Sequence, residues 1–302
     1  MSQLINAQAK IDLHTHSNRS DGTDSPDQVV RDAAAAGVDI IAITDHDTTS
    51  GWQAALEAGA QHGVGIVPGI EVTSRADFLD EAGKRVKFSV HMLAYLPDPT
   101  DQALATALNE AVEGRILRAQ AITELLSEDF DLVWEDVLEE IANGKTVGRP
   151  AIADAMVAKG IFEERSPFFD IVVPGSKYYV PNRTVPTPEE AIRLIRGAGG
   201  VPVIAHPMGR SKHPIGPDGP FPVAHFEAMI EAGLAGFEIY HRDVPEPVRN
   251  WLTGMAKKHD LILTGSSDYH GDGKKNRLGE NLTPVWALER ILEQGNAHLA
   301  QL

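Results

Sequence analysis

Short apolar runs rich in β-branched residues recur at 10–14, 39–44, 64–70, 86–94, 201–205, 234–240 and 261–265, and read as seven candidate strands. Several are followed by helix-start signals. Ser25-Pro26-Asp27-Gln28, Ser50-Gly51-Trp52-Gln53 and Thr187-Pro188-Glu189-Glu190 each place a hydroxyl at the N-cap and Gln or Glu at the third helical position. Pro26 and Pro188 then stand at the first helical position, where a missing N–H costs no intrahelical bond. Gly37 and Gly63 follow the first two helices as suitable C-terminal stops. Strand, capped helix, strand is the pattern of a parallel α/β fold, open or barrel.

Between 99 and 185 the pattern turns helical. Leu104, Leu108, Val112, Ile116 and Ala119 are spaced for one helix face, and a second helix is predicted around Trp134, Val137, Leu138 and Ile141. A third opens at Gly148-Arg149-Pro150 and closes near Gly160, and 172–188 is rich in Pro and turn residues, as a return linker would be. The sequence therefore predicts a catalytic α/β domain from 1–98 and 186–302, interrupted by a helical cap or insertion at 99–185.

A chain of 302 residues has room for two domains, or for one α/β barrel of about 250 residues with an insertion. Its 27 Lys and Arg against 43 Asp and Glu give a net charge of −16, which repels polyanions and argues against long nucleic acid as a partner. Cysteine is absent, so disulfides, thiolate metal sites and cysteine nucleophiles are excluded. The N-terminus lacks the apolar stretch of a signal peptide, and no run approaches the ~18 apolar residues of a membrane span. The expectation is a cytoplasmic protein with no membrane partner and no predicted oligomeric state.

The chemistry gathers at the C-terminal ends of the predicted strands. His14 and His16, then Asp21, follow the first; Asp45-His46-Asp47 the second; Glu71 ends the third; His91 lies in the fourth. His206 follows the fifth, His241 the sixth, and Asp268-Tyr269-His270 the seventh. In a parallel α/β fold these ends open on one face, where active sites are built. Six histidines (14, 16, 46, 91, 206, 270) with Asp21, Glu71 and Asp268 are too many polar groups for one cleft unless cations coordinate them. Nine ligands exceed one catalytic zinc site and suggest two or three divalent ions, with a carboxylate such as Glu71 bridging. Imidazole and carboxylate without thiolate suit Mn²⁺, Fe²⁺ or Zn²⁺. Ions grouped in this way acidify a water and clamp attacking and leaving oxygens, which is the chemistry of phosphate ester hydrolysis.

The segments IDLHTHSNRSDGTDSP, AITDHDT, PGIEV, the stretch around His91, AHP at 205–207 and SDYH at 267–270 resemble, in order, the motifs of the PHP (polymerase and histidinol phosphatase) superfamily. The insertion with Gly148-Arg149-Pro150 is similar to that of stand-alone bacterial PHP phosphoesterases acting on nucleotides. The resemblance implies a distorted (β/α)7 barrel and a trinuclear, usually manganese-dependent site. The implied activity removes phosphate from nucleoside 3′,5′-bisphosphates, nucleoside monophosphates or short oligonucleotide ends. Carried over by position, it implies one ion on His14, His16, Glu71 and Asp268, a second on Glu71, His91 and His206, and a third on Asp21, His46 and His270. The loop from Met208 to Pro222 is longer and richer in Gly and Pro than the resemblance leads one to expect.

Around these ligands, Asp45 and Asp47 are each either a catalytic group or a positioning or capping carboxylate, and Glu238 is read as a barrel-interior group or one that supports a ligand. His241 is the candidate proton donor to the leaving group, or else a hydrogen-bonding partner of substrate or ligand. Arg149, before Pro150 at a predicted helix start, is the candidate for a second substrate phosphate. Arg115 and Arg118 either add to that pocket or line a solvated helix face. The rival readings are a phosphatase for another small ester such as histidinol phosphate, an amidohydrolase, and a metal-stabilised binding module without activity.

Overall fold

The structure, a computed structural model, describes residues 5–79, 85–142, 147–181, 184–207 and 223–302. The loop at 208–222, and with it His213, lies outside the described residues. In chain order the elements are β1 (Ile11–Thr15), α1 (Pro26–Ala35), β2 (Ile40–Ile43), α2 (Trp52–His62), β3 (Gly65–Leu79) and β4 (Arg85–Tyr95). Four helices follow: α3 (Gln102–Ser127), α4 (Trp134–Ala142), α5 (Arg149–Ala158) and α6 (Ser166–Ile171). The α/β pattern then resumes with α7 (Pro188–Gly197), β5 (Val201–Ile204), α8 (Val223–Glu231), β6 (Gly236–Tyr240), α9 (Glu246–His259), β7 (Ile262–Gly265) and α10 (Val285–Gln294). The chain divides into two units, residues 1–107 with 186–302, and residues 108–185.

In the first unit the seven strands form one sheet in the order β1 to β7, curled into a nearly closed barrel. β1, β2 and β3 pair in parallel, as do β5, β6 and β7. β4 runs against both neighbours, a departure from the parallel pattern of the other strands. The reason is length. β3 continues to Leu79 and pairs with Arg85 at the start of β4, so too few residues intervene for a crossover helix, and only a hairpin can connect them. The two strands stay in register from Gly69↔Tyr95 to Leu79↔Arg85.

Barrel closure between β1 and β7 uses polar groups where strand pairing runs out. Thr15 bridges to Tyr269, and the His16 N–H donates to the Tyr269 carbonyl at 2.8 Å. Thr283 donates its N–H to Ile11 O at 2.8 Å and its hydroxyl to Gly265 O at 2.6 Å, tying the two strands together. The buried Asp12 carboxylate accepts from the Ser267 and Gly279 N–H groups, each at 2.9 Å. Ile11, Leu13, Val67, Leu93, Tyr95 and Val203 fill the core together with Leu288 and Ile291 of α10.

The capping box predicted at Thr187 and Glu190 is present in both directions. Ser25 is the N-cap of α1, but its hydroxyl donates to Asp27 Oδ1 at 2.6 Å and accepts no hydrogen bond from the helix N–H groups. Helix α2 starts from Gly51 and not Ser50, whose hydroxyl is engaged by Thr48. In the second unit Ala119, Ile122, Leu126, Val137, Ile152, Met156 and Phe168 make a core of their own, while Leu138 of α4 is 44% exposed. No helix among the described residues is long and apolar enough to cross a membrane.

Candidate metal centre

Residues i and i+2 of an extended strand point the same way, so the end of β1 aims both His14 and His16 inward. Their Nε2 atoms lie 2.9 Å apart, and each is 3.0 Å from Glu71 Oε2. Asp268 Oδ1 stands 3.5 Å from both. All four residues are buried. Ligand atoms of His14, His16, Glu71 and Asp268 fall within 4.8 Å of one another, as do those of His16, Asp21, His46 and His270, and those of His46, Glu71 and His91.

Eight of the nine residues singled out in the sequence thus fall into three overlapping groups. The ninth, His206, sits 2.9 Å from Glu71 Oε1. The grouping differs in part from the one the resemblance implies, because His16 joins the Asp21 group and His46, not His206, completes the His91 group. Glu71 is the hinge of the arrangement. Its Oε2 faces His14, His16 and His46, and its Oε1 faces His91 at 2.7 Å and His206 at 2.9 Å. His91 reaches this place from β4, which enters the mouth running opposite to its neighbours.

The second ring nitrogen of several histidines fixes the first. His14 Nδ1–H donates to Glu238 Oε1 at 3.0 Å, and His270 Nδ1–H to the Asp268 carbonyl at 2.8 Å, so in both rings Nε2 is the nitrogen that faces inward, the one left to bind a metal. His241 is the reverse. Its Nδ1 accepts the Asp243 N–H at 3.1 Å, so Nε2 carries the proton; that buried nitrogen has no hydrogen-bond partner and lies 3.8 Å from Asp268 Oδ2.

Charge supports a cation site. Burial opposes ionisation of Glu71, yet the His46, His14 and His91 imidazoles hold its carboxyl well below the usual range. Burial would lower His14, but Glu238, Glu71 and Asp268 push it well above an ordinary imidazole. His16 rises to about 9 against its burial, through Asp268, Glu71 and Asp21. Protons here supply the positive charge that divalent ions would bring, and the donor set, all imidazole and carboxylate, fits such ions.

Asp45 does not face the cluster as a bare carboxylate. Its oxygens accept from Ser17 N (2.8 Å), Ser17 Oγ (2.7 Å) and Ser20 Oγ (2.6 Å), which fixes the turn carrying His16 and Asp21. Asp47 likewise accepts from Thr73 N and Oγ1, each at 2.7 Å. Glu238, fully buried, gathers three strand ends: besides His14 it takes the Ser266 hydroxyl, and its Oε2 accepts the His206 N–H at 2.6 Å. That bond restrains His206 at a φ of 27°, a costly conformation for a non-glycine residue. Sequence reasoning missed Lys274, whose Nζ lies 2.6 Å from Asp268 Oδ2, because nothing in GKKN separates it from Lys275.

In the second unit Arg149 begins α5, with its guanidinium 5.7 Å from the Phe169 ring centroid, and burial lowers its pKa. Arg118 donates from Nε to Val180 O at 2.7 Å and lies over Tyr179. Arg115 is on α3, close to where a side chain on Gly148 would point.

Residues 12–138 match the PHP domain. The 3′,5′-nucleoside bisphosphate phosphatase of Chromobacterium violaceum is 30% identical over 290 residues, spanning 92% of this chain and 94% of that protein. The chain belongs to the PHP family. Another relative is the phosphoribosyl 1,2-cyclic phosphate 1,2-diphosphodiesterase of Eggerthella lenta, 30% identical over 86% of this chain and 94% of that protein. A crystal structure from Bifidobacterium adolescentis, of a protein inferred to be a metal-dependent phosphoesterase, is 40% identical and superimposes with a TM-score of 0.82, covering 95% and 97% of the two chains. PHP membership and the ligand cluster together make this chain a hydrolase of the phosphoesterase type.

Proposed function

We propose that the protein is a Mn²⁺-dependent phosphomonoesterase acting on nucleotides, with nucleoside 3′,5′-bisphosphates as its preferred class. The observation that carries the reading is the Glu71-centred cluster, into which His241 turns an N–H. Bound divalent ions would supply an activated water and stabilise the charge that develops on the transferred phosphoryl group. His14, His16, Asp21, His46, Glu71, His91, His206, Asp268 and His270 would hold two or three of them. His241 is positioned to give its Nε2 proton to the departing ester oxygen, and Asp45 acts by positioning the His16–Asp21 turn.

The substrate class draws on the Chromobacterium violaceum relative, and two relatives of equal identity with different substrates show that identity alone does not select one. Arg149 is assigned to the second phosphate. Arg149 begins α5, so its guanidinium and the first-turn N–H groups together suit a bidentate oxyanion. In this proposal Arg115 lends charge to the same anion, and Arg118, braced on Val180 and Tyr179, lends chiefly shape.

The test is phosphate release from a panel containing a nucleoside 3′,5′-bisphosphate, a nucleoside monophosphate, histidinol phosphate and a cyclic phosphate, run on wild type and Arg149→Ala. The bisphosphate is expected to give the highest kcat/KM, and the substitution to raise KM for it about tenfold while leaving the monophosphate within twofold. A preference for histidinol phosphate or the cyclic ester would reject the substrate assignment.

A further inference from the structure

Asp268 divides its two oxygens between two tasks. Oδ1 turns toward His14, His16 and His270, each at 3.5 Å. Oδ2 faces two nitrogen donors: Lys274 Nζ at 2.6 Å and His241 Nε2 at 3.8 Å. The His241 donor is wholly buried and lacks a hydrogen-bond partner, so one oxygen of a metal-ligand candidate has an unspent N–H beside an ammonium.

Lys274 is held there by a rigid loop. Gly271 has a φ of 63°, and a Cβ on it would lie 2.1 Å from Thr23 Oγ1, so only glycine permits the approach. Thr23 donates its N–H to the His270 carbonyl at 3.1 Å and accepts the Asp272 N–H at 2.9 Å. On the far side Asn276 Nδ2 donates to Ser267 O at 2.6 Å. The lysine is therefore delivered to Asp268 from a fixed turn, with its side chain 23% exposed.

We propose that Lys274, together with His241, forms a donor pair that binds the phosphate dianion of the substrate beside the metal cluster. Cations held by Asp268 would draw on its charge and weaken its hold on the ammonium, leaving the Lys274 N–H donors available to an arriving oxyanion. A fixed cation at contact distance also overcomes the repulsion of a protein carrying a net charge of −16. Two donors on the same side of the cluster favour a dianionic terminal phosphate over a singly charged diester, which deepens the monoesterase reading and rests on it.

Calorimetric titration of inorganic phosphate into Mn²⁺-loaded wild type, Lys274→Ala, Lys274→Gln and Lys274→Arg tests this, with metal content of each sample measured in parallel. The neutral variants are expected to bind phosphate at least tenfold more weakly at unchanged metal content, and Lys274→Arg to recover part of the loss. Phosphate affinity within twofold of wild type in both neutral variants overturns the inference. So does a weakening that appears only with loss of metal, which would make Lys274 a counter-ion of Asp268. Failure of the wild type to release phosphate from any ester would count against the phosphoesterase reading, whereas a fully active enzyme with unchanged phosphate affinity in the variants would count against Lys274 alone.

Discussion

At His14, His270 and His241 the group that meets the outward ring nitrogen decides what the inward one can do. His14 and His270 donate outward, to Glu238 and to the Asp268 carbonyl, and so keep Nε2 for a metal once its proton is displaced; His241 accepts outward from Asp243 and offers a proton. Glu238 matters beyond one ring because it also restrains the His206 backbone, and its carboxyl is held down to about 2, against burial, chiefly by His14. Glu238→Gln keeps the shape but puts an amide N–H where His14, His206 or Ser266 needs an acceptor. Partners of this kind are worth roughly 10- to 100-fold in metal affinity. Titration of Mn²⁺ into the variant is expected to show a loss of that size, while affinity within twofold of wild type would mean that Glu238 does not orient His14.

At the scale of elements, seven strands and their order of appearance were legible because each contains a short apolar run, although β3 runs on past the predicted 64–70 to Leu79, and the Thr187 box was legible because Thr, Pro and Glu stand at fixed offsets. The direction of β4 was not. Period-2 alternation runs through EVTSRADF and RVKFSVHM alike, and only the shortness of the intervening connection forces a hairpin. Ser50 fails as a cap because Thr48 competes for its hydroxyl, a local contact that a motif cannot show. That these His and acidic residues cluster was legible from where they sit relative to strand ends. Which ligands share a group was not, since that depends on how the turn braced by Asp45 swings His16 toward Asp21 and His46. Lys274 escaped notice because a rigid turn, not a motif, brings it to Asp268.

Over the whole molecule, the centre concentrates buried acids and imidazoles that no fold would keep without cations or protons. His16 is raised to about 9 and His14 also upward from an unfolded histidine near 6.5, so without metal their protonation stabilises the folded chain below about pH 6.5. That contribution is lost as pH rises through the folded value of about 9 for His16. His46, His206 and His270, all lowered chiefly by burial, are neutral across this window and do not offset the loss. The Tm of chelator-stripped protein is therefore expected to fall from pH 7 to 9, with no parallel fall in Mn²⁺-loaded protein, where ions have displaced those protons; a flat or rising Tm in the stripped protein would contradict the charge assignment. The claim on which everything else depends is that several ions act together around Glu71 to hydrolyse a phosphate ester. Its most direct test is phosphate release from a nucleoside 3′,5′-bisphosphate as Mn²⁺ is added, equivalent by equivalent, to stripped protein. Activity that is absent without metal and reaches its plateau only beyond one ion per chain is the predicted result, and full activity in stripped protein or at a single equivalent would contradict it.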